Sequence, residues 1–175
     1  MRISRKTVDK LGVKLYDQAA AVVAELIANA YDADAEKVTI HIPLNVWLAT
    51  VQGIKVQDRG FEIRVEDDGH GMTPDEANDF YLLVGRDRRE DKRQGPFSKD
   101  KKRRVMGRKG IGKLAPFGIC NEMEVWSAGG ESTADGYQIT NFILKYSDIM
   151  IIETEKEYPP IIGKDEWKIF KGERH

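Results

Sequence analysis

Glu25, Asn29 and Asp32 stand at i, i+4 and i+7 in Glu25-Leu-Ile-Ala-Asn29-Ala-Tyr-Asp32. A helix with about 3.6 residues per turn puts these three on one face. Val22, Val23, Leu26 and Ile27 occupy the other faces and can enter a core. The polar row then faces either water or a ligand. A carboxylate beside an amide can hold a hydrated Mg²⁺ and a water molecule, because Mg²⁺ prefers oxygen ligands and keeps several waters. A solvated helix face is the plain alternative, and this stretch alone does not choose between them.

Two later stretches add chemistry. Glu66-Asp67-Asp68-Gly69-His70-Gly71-Met72 follows an alternating strand-like run. Glycines at a strand end let the chain turn sharply and let a flat ligand approach the backbone. Asp68 beside them can accept a hydrogen bond from an exocyclic amine such as that of adenine; an ordinary Asp-Gly turn would look the same. Gly107-Arg-Lys-Gly110-Ile111-Gly112-Lys113 is a phosphate-cradle pattern. Successive exposed N–H groups and a following helix N-terminus favour anions. The same run matches Gly-x-x-x-x-Gly-Lys, but Leu114 stands where a P-loop needs Ser or Thr for magnesium. Lys101-Lys-Arg-Arg104 before it is no buried parallel strand.

Elements that position these residues can be read from the pattern. Helical spacing runs from about Lys14 to Asp34. Lys37–Ile42 and Phe61–Val65 alternate as strands, with shorter strand pieces at Ala49–Val51 and Ile54–Val56. Thr73-Pro74-Asp75-Glu76 is a helix start: a hydroxyl N-cap, proline at the first position and acids in the first turn. That helix continues to about Leu83. Leu114–Gly118 reads as a short helix. Glu122–Ser127 and Gly136–Tyr146 read as a hairpin across Ala128–Asp135, and Trp167–Phe170 as a last strand piece. Helices and strands in this order predict an α+β two-layer sandwich, with a mixed, mostly antiparallel sheet covered on one face by helices.

The chain has 175 residues, enough for a single domain over 1–175 with its own core. With 41% hydrophobic and 33% charged residues it is globular rather than disordered. Cys120 is the lone cysteine, which excludes an intrachain disulfide and a cysteine-rich zinc site. His41, His70 and His175 have no metal-ligand spacing. No apolar run reaches the roughly 20 residues that span a bilayer, and no signal sequence is visible, so a cytoplasmic protein without a membrane partner is expected. Charge is uneven. Residues 86–113 carry 13 Lys and Arg against 4 Asp and Glu, a net of +9 that leaves −10 for the rest. Such a run could neutralise nucleic-acid phosphates.

Taken together and in order, the three stretches resemble the GHKL superfamily of ATP-binding domains (gyrase B, heat-shock chaperones, histidine kinases and MutL), within it the MORC-like and heat-shock-like branch. The resemblance covers about Lys14 to Cys120. It implies the Bergerat ATP-binding fold, with ATP and Mg as cofactors. It implies Glu25 as the general base for the attacking water and Asn29 as the Mg ligand. Asp68 would read adenine, with Gly69, Gly71 and Met72 around the base. Gly107, Gly110, Ile111 and Gly112 would cap the phosphates, Lys113 would add charge near them, and Asp32 would sit beside the nucleotide. Residues 85–113 would form a nucleotide lid and glycine-rich loop, mobile when empty and ordered by phosphates. ATP would act as a conformational or dimerisation switch, with an ATP-dependent homodimer of a longer protein and a DNA contact through the basic loop as further partners.

Two departures stand out. No Gly-Thr motif follows Trp167, so the sequence reads as cut before the strand hydroxyl that supports the adenine-binding Asp. The second domain that supplies a catalytic lysine is also missing, so weak hydrolysis is expected. A histidine-kinase-like phosphotransfer domain is the first alternative. The Glu-Leu-x-x-Asn-Ala-x-Asp-Ala pattern and the lack of a phosphoacceptor-histidine helix before residue 14 argue against it. A non-enzymatic nucleic-acid module built on the basic loop is the second; it leaves Glu25, Asn29 and Asp68 unexplained.

Overall fold

A computed structural model describes residues 19–46, 49–52, 55–83, 95–107, 110–151, 160–162 and 169–170. Lys14–Gln18 of the expected helix, Trp167 and Lys168 of the expected last strand piece, and residues 85–94 and 108–109 of the expected lid lie outside these.

The polar row lies on helix α1, Ala19–Asp32. It leads through a turn into β1, Val38–His41, which pairs antiparallel with β4, Arg64–Asp67. Strands β2 (Ala49–Gln52) and β3 (Lys55–Asp58) form a separate hairpin between them. β4 runs to Asp67, two residues past the expected end. Along it exposure alternates: Arg64 and Glu66 face out, Val65 and Asp67 are half-buried.

The expected cap at Thr73 is present in full. Its hydroxyl accepts the Glu76 N–H at 3.2 Å, and the Glu76 carboxylate accepts the Thr73 N–H at 2.9 Å. Helix α2, Pro74–Glu76, then widens into a π-helical turn, Ala77–Tyr81. Further on, a 3-10 helix spans Gly112–Gly118, with Leu114, Ala115, Pro116 and Phe117 buried, and packs against α1. Pro116 inside it removes one amide donor, which suits a short 3-10 piece better than an α-helix.

Strands β5 (Glu122–Thr133) and β6 (Gly136–Lys145) form a long antiparallel hairpin. The expected hairpin connection, Ala128–Asp135, is strand as far as Thr133, and it contains Gly129 and Gly130. The register shifts between Gly129 and Thr133. β7 (Ile161–Ile162) and β8 (Ile169–Phe170) add to the other edge of β6. Helix α3, Tyr146–Ile151, was expected only as the strand's end.

The core joins α2 and its π turn, the 3-10 helix, β6 and α3 through Ala77, Leu82, Leu114, Phe117, Phe142, Leu144 and Ile149. Tyr81 packs on Phe142 and Phe117 on Tyr146, each with ring centroids 5.8 Å apart. The architecture is mixed α+β with small antiparallel sheets. No helix among the described residues is long and apolar enough to cross a membrane.

Candidate nucleotide site

Helix α1 holds Glu25 and Asn29 half-buried and Asp32 buried, as an amphipathic helix with one polar row requires. The 3-10 helix lies directly against this row. A β-carbon on Gly112 would collide with Glu25 Oε2, so the carboxylate sits on the glycine segment's backbone. Sequence spacing alone placed these two stretches on separate elements; the packing of α1 on the 3-10 helix brings them together.

Asp32 points at the start of the same segment. Its two oxygens accept the N–H of Met106 at 2.7 Å and of Gly107 at 3.0 Å. It is therefore a backbone clamp on the loop that leads into the glycines. Gly110 has φ 59° and Gly71 φ 61°, a left-handed conformation that glycine takes without strain.

Residues 95–107, the described part of the basic stretch, form a tight hairpin tied to the end of α1. Ser98 N–H donates to Arg103 O at 2.7 Å and Val105 N–H to Pro96 O at 3.0 Å. Asp34 accepts the Asp100 N–H at 2.7 Å, Arg103 donates to Ala35 O at 3.0 Å, and Arg103 lies 4.9 Å over the Tyr31 ring. Lys101 pairs with Glu36 at 2.6 Å and Lys99 with Glu76 at 3.3 Å. Burial opposes ionisation of Asp34, but hydrogen bonds from Ser98 and the Asp100 and Lys101 amides, with His70 nearby, hold its pKa below the ordinary value. Glu76 is lowered in the same way: burial opposes it, and the Thr73 amide and Lys99 prevail.

The two aspartates at the end of β4 go different ways. Asp68 is exposed, and its Oδ1 accepts the N–H groups of Lys37 at 2.9 Å and Glu36 at 2.8 Å. Those amides hold its carboxyl below the usual carboxylate range. Asp67 is on the half-buried side of the strand, with Oδ1 accepting the Gly69 N–H at 2.9 Å. The signal was available in the sequence. Phe61, Ile63 and Val65 share one parity, and Asp67 continues it, whereas Asp68 does not.

Met72 and Gly71 sit against the β5–β6 hairpin. Met72 N–H donates to Ser127 Oγ at 2.9 Å, and Thr140 Oγ1 donates to Met72 O at 3.1 Å. A β-carbon on Gly129 would come within 2.7 Å of Met72 Cα, so glycine lets the two backbones touch. Sequence reading sought a supporting strand hydroxyl beyond Trp167 and missed Ser127, Gly129 and Thr140. Met72 itself packs on the core cluster.

The Lys113 ammonium is turned to backbone carbonyls. Its Nζ donates to the carbonyls of Phe80 at 3.0 Å, Leu83 at 2.9 Å and Tyr81. It also lies 5.3 Å from the Tyr81 ring centroid. Burial pulls its pKa down to about 7, while three carbonyl acceptors match the three N–H groups of an ammonium. Burial also raises the Tyr81 pKa to about 12 and that of Cys120 to about 11.

Among the described residues no three His, Cys, Asp or Glu gather as a metal cage. Glu25 and Asn29, one turn apart beside Gly112, still suit Mg²⁺, which takes one or two protein oxygens and completes its shell with phosphates and water.

An acidic–amide helix row set against a glycine segment, with Asp67-Asp68-Gly69-His70-Gly71 at the end of β4, sits in a mixed α+β architecture. The chain belongs to the family described as Histidine kinase-, DNA gyrase B-, and HSP90-like ATPase, whose family model matches residues 16–163. It is 38% identical over 127 residues to the protein named "Putative type II restriction enzyme HgiDII" from Herpetosiphon aurantiacus. The match covers 73% of this chain and 18% of that relative, so the chain spans less than a fifth of the relative's length.

Proposed function

We propose that this chain is the ATP-binding, Mg-dependent ATP-hydrolysing module of a larger cytoplasmic protein, acting as a nucleotide-driven conformational or dimerisation switch. The observation that carries this reading is the Glu25 carboxylate set on the backbone of Gly112. This supports Glu25 as the general base, beside the glycine amides that would meet the phosphates. Glu25 would orient the attacking water and take its proton as phosphate separates from ADP. The Asn29 amide oxygen would hold the metal, which supplies charge neutralisation between the phosphates. N–H groups from Gly107 to Gly112 would bind phosphate oxygens, and the hairpin at 95–107 would serve as part of the lid. Asp67, on the half-buried side of β4, would take the adenine-reading role in place of Asp68. Gly69, Gly71 and Met72 shape the adjoining wall. The helix-row pattern supports the MORC-like and heat-shock-like branch.

The relative's restriction-enzyme name supports a DNA-handling machine as the larger setting. The basic hairpin is the part of the chain that would contact DNA phosphates; its Lys99, Lys101, Lys102 and Arg103 each also have an acceptor within the chain.

Calorimetric titration of Mg-ATP and Mg-ADP into the wild type and Asp67→Asn tests this reading. Binding by the wild type and loss in Asp67→Asn is expected, with Glu25→Ala binding Mg-ATP but releasing no phosphate. A wild type that binds neither nucleotide would sink the proposal.

A further inference from the structure

We infer that Lys113 is a positioning residue that bolts the glycine-rich segment to the end of the helix following the base motif. This rests on the nucleotide-site reading above. A lysine directly after a phosphate-type glycine loop invites the reading of a phosphate ligand. Here its ammonium is spent on three backbone carbonyls, those of Phe80, Tyr81 and Leu83.

The three carbonyls lie at and just beyond the end of the π turn that continues α2. Leu82 N–H closes that turn to Ala77 O at 2.7 Å. A cation at a helix C-terminus meets the negative end of the helix dipole. The Lys113 ammonium sits there, 5.3 Å from the Tyr81 ring centroid.

The other end of the same helix belongs to the base side. Thr73 caps it immediately after Met72, whose backbone is fixed by Ser127 and Thr140. Glu76 in its first turn pairs with Lys99 of the hairpin. The helix is thus a strut, with the base motif and hairpin at its start and Lys113 at its end. Lys113 adjoins Gly112, on which the Glu25 carboxylate rests. Loosening the bolt frees the glycine amides and Glu25 from the base motif.

The test uses the whole chain, with Lys113→Met and the shorter, amide-bearing Lys113→Gln. Amide hydrogen exchange is measured without nucleotide, and Mg-ATP and adenosine are titrated in parallel. In Lys113→Met we expect exchange at residues 77–83 to quicken by about tenfold or more, since three carbonyl bonds are lost. Mg-ATP affinity should fall by about tenfold while adenosine changes by less than about threefold. Lys113→Gln, which keeps two donors, should fall between, and it carries the test if Lys113→Met does not fold. Unchanged exchange without nucleotide in these variants would overturn the inference, because a phosphate ligand has no bond to lose there. Quickened exchange with unchanged Mg-ATP affinity would also overturn it, leaving a helix cap alone. Failure of the wild type to bind Mg-ATP would instead strike the nucleotide reading, and the exchange arm would still report on the bolt.

Discussion

The carboxylate of Glu25 fills the space in which residue 112 would carry a β-carbon. Gly112 is therefore required by the side chain facing it, in addition to any need of its own backbone. Gly112→Ala should push the carboxylate aside, and because Glu25 Oε2 ends a flexible side chain the fold can absorb the change. We expect a stability loss within about 1 kcal/mol but phosphate release reduced by about tenfold to a hundredfold through misplacement of the base. Thermal unfolding and a phosphate-release assay together check this; unimpaired release would remove Glu25 from the catalytic role.

Asp32 sends both oxygens to the amides of Met106 and Gly107 and is buried. Asn in its place would turn an NH₂ toward one of those N–H groups. Asp32→Asn should cost about 1–3 kcal/mol, the range for leaving a buried donor unpaired. Urea unfolding gives the number. A cost near zero would mean that the clamp does not hold the loop.

The neighbouring aspartates of β4 should separate cleanly. Asp67→Asn should weaken adenosine binding by about tenfold or more, the scale for losing a charged hydrogen bond. Asp68→Asn should leave adenosine binding within about threefold and instead lower the melting temperature, because it loosens the Glu36–Lys37 turn. The reverse outcome would return the base-reading role to Asp68.

Acid should unfold the chain through Asp34 and Glu76. Both have pKa values below their ordinary 3.8 and 4.5. A lowered carboxylate stabilises the fold above the unfolded-state pKa, and that stability is lost as pH falls through the folded-state value. The melting temperature should therefore drop as pH goes below about 4.5. Glu76→Gln should start lower at neutral pH and fall less steeply in acid. Parallel pH curves for the two proteins would exclude Glu76 as a source of the acid sensitivity.

Much of the site was legible in the chain itself. The Glu25–Asn29–Asp32 spacing placed a polar row on one helix face, because helical period is a local property. Thr73-Pro74-Asp75-Glu76 specified its own cap for the same reason; the Thr73 cap is present as read, and the structure adds the reciprocal Glu76 bond. The family, with its expectation of nucleotide binding, followed from motifs whose spacing is short-range. Only the tertiary structure decided which of these residues face one another. Asp67 and Asp68 differ by strand parity, and β4 had to extend to Asp67 before that parity could apply to them. Lys113 reaches carbonyls 30–33 residues away, and Asp32 reaches amides 74 and 75 residues away. Ala128–Asp135 reads as a hairpin connection, yet Gly129 and Gly130 lie in a strand, where Met72 and Thr73 pack against them. Local pattern sets element and face. A charged side chain's partner depends on which distant backbone groups the folding of the core brings beside it.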